Sequence, residues 1–174
     1  AGDLTGDGFP DLVAVNRFSQ HITVFHNNGV GGFALSDTYT VAIDPTAVAL
    51  GDFDGDNDLD IVVANQGGVG NLSVLLNDGD GTFADDVLYA AGDDPVSVAV
   101  ADLNNDTFLD IVAANFVGNT VSVLLGNGDG TFAAQTEFAT SLGPRCVAIG
   151  ELNGDTSPDL AVACFHQDRI QVLH

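Results

Sequence analysis

The chain has 174 residues, 45% of them hydrophobic, and sets 25 acidic side chains against three basic ones, for a net charge of −22. So apolar a composition excludes a disordered acidic tail, and so negative a surface repels phosphate and excludes nucleic acid as a partner. No apolar run nears the roughly 18 residues of a membrane span, so membrane insertion is not expected.

The acids are 23 Asp against Glu137 and Glu151, and the bases are Arg17, Arg145 and Arg169, with no Lys. Asp in place of Glu points to turns and oxygen-ligand sites. No signal peptide or initiator Met opens the chain, which reads as a mature chain or a fragment.

In chain order, the first unit begins with "GDLTGDGFPDLVAVN" from Gly2, an acidic loop running into an apolar strand. It continues through "NRFSQH" from Asn16 to a Gly-rich turn, "NNGVGGF", ending at Phe33. The second opens on "DPTAVAL" from Asp44, then "GDFDGDNDLDIVVAN" from Gly51 and "NDGDGTF" ending at Phe83. The third repeats the order, with "DPVSVAV" from Asp94, "ADLNNDTFLDIVAAN" from Ala101 and "NGDGTF" ending at Phe132. The fourth has "GPRCVAI" from Gly143 and "GELNGDTSPDLAVAC" from Gly150. The acidic loop returns every 49 to 50 residues, and three motifs sharing one period mark a repeat protein.

Each unit reads as four short strands, a to d. In the second these are Thr46–Leu50, Asp60–Ala64, Leu72–Leu76 and a stretch within 83–91. They are rich in Val, Ile and Leu and bounded by Gly, Asn, Asp and Pro. Pro45, Pro95 and Pro144 start strand a, where a missing N–H is tolerated. Four strands in about 40–50 residues match a propeller blade. The expected fold is all-β, a single β-propeller segment over 1–174. Its blades span 1–43 (incomplete), 44–92, 93–142 and 143–174 (incomplete), and further repeats or neighbouring chains complete it.

Within each acidic loop, oxygen-bearing side chains occupy positions 1, 3, 5 and 9. They are Asp3, Thr5, Asp7 and Asp11; Asp52, Asp54, Asp56 and Asp60; Asp102, Asn104, Asp106 and Asp110; and Glu151, Asn153, Asp155 and Asp159. Position 4 is Gly6, Gly55 and Gly154, with Asn105 as the exception; each suits a sharp left-handed turn. Position 7, Asp58 in loop two, is expected to offer its backbone carbonyl. Hard oxygens on alternate residues around a tight turn suit Ca²⁺, and up to four structural sites are expected, loop two the strongest. An EF-hand is excluded, because position 12 is never Glu and no helices flank the loops.

The pattern D-x-(D/N)-G-D-x-x-x-D between strands a and b, with "NDGDGTF", resembles the FG-GAP/VCBS repeat family, whose blades form the calcium-binding propellers of integrin α-subunits and of many secreted bacterial proteins. The resemblance covers the whole chain. It implies a propeller with Ca²⁺ in the a–b loops, a secreted or cell-surface location, and adhesion or lectin-like ligand binding. Thr5, Asn105 and Glu151 depart from the pattern.

Antiparallel strands place the acidic loops and the c–d turns on one face and all three Arg on the other. The b–c loops on that second face differ most between units, as recognition loops on a repeated scaffold do. Arg17, Phe18, His21, Phe116, Arg145, Phe165, His166 and Arg169 are the candidate residues for a carbohydrate or extracellular-protein ligand; packing between blades is the alternative for the Phe residues. Phe33, Phe83 and Phe132 are expected in the core or between blades. His26 and His174 read as isolated. A register pairing Gly150 with Leu160 sets Cys146 opposite Cys164 and permits a disulfide, with two buried thiols as the alternative. Asn71 stands in a glycosylation sequon.

No catalytic motif is present, so the expected role is a non-enzymatic binding or adhesion module. Two alternatives stay open: a structural protein assembling through open blade edges into a ring or filament, and the propeller of a secreted polysaccharide-active enzyme.

Overall fold

Strand b is apolar at consecutive positions, not at alternate ones, which requires cover on both faces of its sheet. A computed structural model, describing the backbone of residues 1–174 and the side chains of all but 34–36, supplies that cover. Fourteen strands form four antiparallel sheets. The first holds β1 (Leu12–Asn16), β2 (His21–Asn27) and β3 (Phe33–Thr40). The second holds β4 (Pro45–Gly51), β5 (Asp60–Asn65), β6 (Asn71–Leu75) and β7 (Val87–Ala90). The third holds β8 (Pro95–Ala101), β9 (Asp110–Asn115), β10 (Thr120–Leu124) and β11 (Thr136–Ala139). The fourth holds β12 (Pro144–Gly150), β13 (Asp159–Cys164) and β14 (Arg169–Leu173), with a 3₁₀ turn at Phe165–Gln167. Each sheet is an up-and-down meander, and neighbouring sheets meet through their inner strands β4, β8 and β12, as in a segment of a β-propeller.

The cores lie between the sheets. Ile61 and Val63 of β5 join Ile22 and Val24 of the first sheet, whereas Val62 and Ala64 face Ile111 and Ala113 of the third. Val112 and Ala114 in turn meet Val162 and Cys164 of the fourth. Strands β5 and β9 are therefore buried at every residue. Phe83 and Phe132 are wedges between blades. Phe132 meets Phe53 and Tyr89 of the second blade edge-on, both at 5.4 Å, and Phe83 meets Tyr39 of the first at 5.2 Å. Burying such a ring contributes about 1.5–3 kcal/mol, and each aromatic pair roughly 0.5–1.5 more. Phe33, expected in the same role, is 47% exposed, with no preceding sheet of this chain beside it.

The c–d turns of the second and third blades also reach the acidic loop of the blade before. Asn77 Nδ2 donates to Leu4 O (2.9 Å), and Gly130 N donates to Phe53 O (2.9 Å). The φ of Gly130 is +79°, a left-handed backbone that favours glycine, and a Cβ there would push the Leu76 side chain aside, its Cδ1 lying 2.6 Å away.

Two features lay outside the pattern of the sequence. Strands β4, β8 and β12 each carry a bulge that leaves Thr46, Val96 and Arg145 without a partner across the sheet. In the fourth sheet Gly150 pairs with Asp159, not Leu160, which sets Cys146 opposite Ala163. Cys146 is exposed, Cys164 is buried, and both are free thiols, so the expected disulfide does not form. A slip of one residue turns the two side chains to opposite faces of the sheet.

Candidate functional site

The four acidic loops share one scaffold. The position 1 carboxylate accepts backbone N–H groups across its own loop: Asp3 Oδ2 from Gly8 (2.8 Å), Asp52 Oδ1 from Gly55 (2.7 Å) and Asp102 Oδ2 from Thr107 (2.8 Å), while Glu151 Oε1 takes Asn153 N (2.8 Å). The position 5 carboxylate accepts from position 7: Asp7 from Phe9, Asp56 from Asp58, Asp106 from Phe108 and Asp155 from Ser157, at 2.8–2.9 Å. Position 4 is left-handed in all four loops, Asn105 included at φ +61°. Position 6 is left-handed as well, and there Thr107 (φ +79°) and Thr156 (φ +73°) are β-branched residues in a region such residues avoid.

Position 9 opens strand b, and its aspartate is almost fully buried in every loop. One oxygen accepts the position 2 N–H: Asp11 from Leu4 (3.0 Å), Asp60 from Phe53 (2.7 Å), Asp110 from Leu103 (2.8 Å) and Asp159 from Leu152 (2.8 Å). The other accepts the N–H that follows strand c, from Asn27 (2.8 Å), Asn77 (2.9 Å) and Gly126 (2.8 Å). In the fourth blade His174 Nδ1 takes that place, 2.7 Å from Asp159 Oδ1. His174 is therefore no isolated residue but part of loop four. His26, at the matching place in the first blade, stands 3.9 Å from Asp11. The position 9 carboxylate thus clips three strands together, a role that its charge alone did not reveal.

Loop two gathers its acids most closely. Asp52, Asp54 and Asp60 each place an oxygen within 4.8 Å of the other two, the one such grouping among the described residues. Ca²⁺–oxygen bonds of about 2.3–2.6 Å fit that span. Burial first, then the nearby Asp54 and Asp56, push the Asp60 carboxyl up to about 6, against the pull of the Asn77 and Phe53 N–H groups. Burial raises Asp54 and Asp110 too. Asp3 is held low by the Gly8 N–H and Asp155 by the Ser157 N–H. Asp58 turns its carboxylate away, towards Gly79 of the c–d turn, whose added Cβ would lie 2.7 Å from Asp58 Oδ2. In loops three and four the position 3 amide cross-links the loop instead: Asn104 Nδ2 donates to Asp106 (2.8 Å) and Asn153 Nδ2 to Asp155 (3.0 Å).

A depression of about 280 Å³ lies on the opposite face, at the axial ends of the inner strands. Its walls include the three bulge residues, Thr46, Val96 and Arg145. Its rim carries Arg17, Gln66 and Phe116, each the residue immediately after strand b of its blade. Arg145 projects between two rings, its Cζ 5.6 Å from Phe116 and 5.8 Å from Phe165. His166 packs on both rings at 5.3 Å. Five of the eight expected face residues therefore gather around this depression. Phe18 is 91% exposed under the Arg17 guanidinium at 5.8 Å. The His21 ring contacts Ser19 O. Arg169 bonds Ser141 Oγ through Nε (2.7 Å) and does not line the depression. Thr46 and Val96 were not legible as lining residues, because a bulge has no residue signature, and Gln66 and Asp94 join them from the turns that flank the strands.

A family model for the FG-GAP-like repeat matches the chain three times, over residues 3–63, 52–113 and 105–162. No curated protein matches. Among solved structures, a chain of the Photorhabdus luminescens Tc holotoxin pore is similar over 98% of this chain, at 20% identity and a TM-score of 0.57. The match spans only 8% of the toxin chain. A functionally unknown protein from Desulfotomaculum acetoxidans aligns over 96% of this chain and 70% of its own, at 10% identity and a TM-score of 0.44.

Proposed function

The chain belongs to the FG-GAP-like repeat family, and from that membership we propose that it is a non-catalytic, calcium-stabilised propeller segment serving an extracellular binding or adhesion module. In this reading Ca²⁺ occupies the a–b loops and is structural. Asp52, Asp54 and Asp60 hold it in loop two, with Asp56 closing the loop, and the sister residues hold it in the other loops. The ion offsets the mutual repulsion of the acids and pins strand a to strand b. The ligand, a carbohydrate or another protein, meets the opposite face. The observation that carries the reading is the segregation of the two faces. One repeats oxygen-bearing side chains at the same positions, whereas the other varies its residues from blade to blade at the same places on the repeated strands. Extracellular calcium modules typically bind with Kd near 10⁻⁴–10⁻³ M, a range that only millimolar calcium fills. Melting with calcium and with chelator tests the structural ion, and a glycan array probed in calcium tests the ligand. Equal melting in both conditions defeats the first half of the reading, and an array without binders defeats its carbohydrate half.

A second reading, assembly with further repeats or chains, is favoured by an apolar cavity of about 250 Å³ beside the fourth sheet. Leu103 and Phe138 line it. They hold the positions of Phe53 and Tyr89, which receive Phe132 one blade earlier. An aromatic residue on a further Gly-rich turn fits there. Light scattering that reports a monomer at all concentrations counts against association between copies.

A further inference from the structure

Arg145 and Asp94 line the same depression without pairing. The ion pairs among the described residues involve histidines, and among the same residues neither the Arg145 guanidinium nor the Asp94 carboxylate has a hydrogen-bond partner. A structural Arg in a chain with 25 acids would meet one of them; this one is instead held out by two rings. The bulge accounts for its aim. An extra residue in a strand redirects a side chain, and in the equivalent bulges of the second and third blades Thr46 and Val96 turn to the same depression. Across the depression, Arg17 donates to Gln66 Oε1, leaving its other N–H groups free for a ligand. Two of the three cations of the molecule thus border one small cavity, together with a single carboxylate.

We propose that this depression binds a carboxylate-bearing sugar unit, a uronic acid. The proposal rests on the carbohydrate reading above and names its chemical class. A guanidinium fork matches a carboxylate with two parallel hydrogen bonds, and the flanking phenyl rings hold the fork in place. Asp94 accepts from sugar hydroxyls, which an uncharged or monoanionic ring supplies and an acidic peptide does not. Pro45, Val15 and Val96 offer apolar surface to ring carbons. The volume falls just below the range of small-molecule pockets, about 300–1,000 Å³, and so takes a single ring.

The test is an NMR titration of the calcium-loaded chain with a galacturonate disaccharide, a neutral galactose disaccharide and a short aspartate peptide. The acidic disaccharide is expected to shift the Arg145 side-chain signal and the Gln66, Val96 and Phe116 amides. Arg145→Gln, at an exposed side chain whose contacts are the Phe116 and Phe165 rings, is expected to weaken that binding roughly tenfold or more and to leave the spectrum unchanged outside the neighbourhood of those two rings. Equal shifts from the neutral sugar overturn the acidic class but leave carbohydrate binding standing. Binding of the peptide alone overturns the sugar. Acidic-sugar binding that Arg145→Gln leaves intact overturns the site, and no shift from any ligand overturns the proposal without touching the calcium melts.

Discussion

Replacing Asp60 by Ala tests the strand clip and the ion site at once. Asp60 is fully buried, with Oδ2 accepting from Phe53 N (2.7 Å) and Oδ1 from Asn77 N (2.9 Å). Alanine leaves both donors buried without an acceptor, at about 1–3 kcal/mol each, or about 2–6 kcal/mol for the pair. For a chain of this length each 1 kcal/mol moves Tm by about 2–4 °C. In chelator, where no ion contributes, the Ala variant should therefore melt at least about 4 °C below the wild type. Asn keeps one acceptor oxygen and should fall between the two. In calcium at 100 times Kd, each occupied site adds about 2.7 kcal/mol, and the loop-two share should vanish in both variants. Calorimetric melts of the three proteins in chelator and in calcium measure both effects. An Ala variant that melts like wild type in chelator refutes the clip, and one that keeps the full calcium increment refutes Asp60 as a ligand.

The same residue fixes the pH dependence. Its folded carboxyl titrates at about 6 against an ordinary 3.8, so the ion-free fold favours the protonated acid. That contribution is fully present below pH 3.8 and lost as pH rises through 6, about 3 kcal/mol at 1.4 kcal/mol per unit. Asp54 and Asp110, also raised, act in the same direction. Asp3 and Asp155, held low, lose stability only below pH 3.8, outside this window. In chelator Tm should fall between pH 4.5 and 7. In calcium the slope should flatten or reverse, because the ion favours the ionised form. Parallel slopes in the two conditions count against ion binding at this carboxylate.

Phe132→Ala should cost about 3–5 kcal/mol, because it removes the wedge between the second and third blades; urea melts check it, and a loss under 1 kcal/mol contradicts the wedge. Thr107→Asn should stabilise the fold by up to about 1 kcal/mol, raising Tm by up to about 4 °C, because Asn57 holds the equivalent left-handed position in loop two at φ +76°. In the folded protein a maleimide should label Cys146 and spare Cys164, and reductant should leave Tm unchanged; protection of both thiols would show that the disulfide forms.

How far the sequence carried depends on the kind of physics each feature rests on. The period, the four strands and the oxygen-bearing positions of the acidic loops rest on residue type at fixed spacing, and spacing is visible in a single chain. The left-handed turn at position 4 was legible even through Asn105, because few residues tolerate that backbone. The left-handed position 6 was not, since Thr107 and Thr156 are held there by the N–H contacts of the whole loop and not by their own preference. The strand clip at position 9 was hidden for another reason. A metal ligand and a buried hydrogen-bond acceptor call for the same residue, so the letter alone does not disclose that Asp60 accepts the Phe53 and Asn77 N–H groups. The bulges were hidden most completely, because an inserted residue that pairs with nothing has no constraint on its type. That freedom also gives the bulges their meaning. Thr46, Val96 and Arg145 have nothing in common except their place at the axial depression, and Arg17, Gln66 and Phe116 differ just as freely on its rim. A scaffold that fixes its backbone through the acidic loops and frees two positions per blade on the other face separates stability from recognition. A substitution at Arg145 should then alter ligand binding and leave the melt alone, and one at Asp60 should lower the melt without changing which ligand the folded protein prefers.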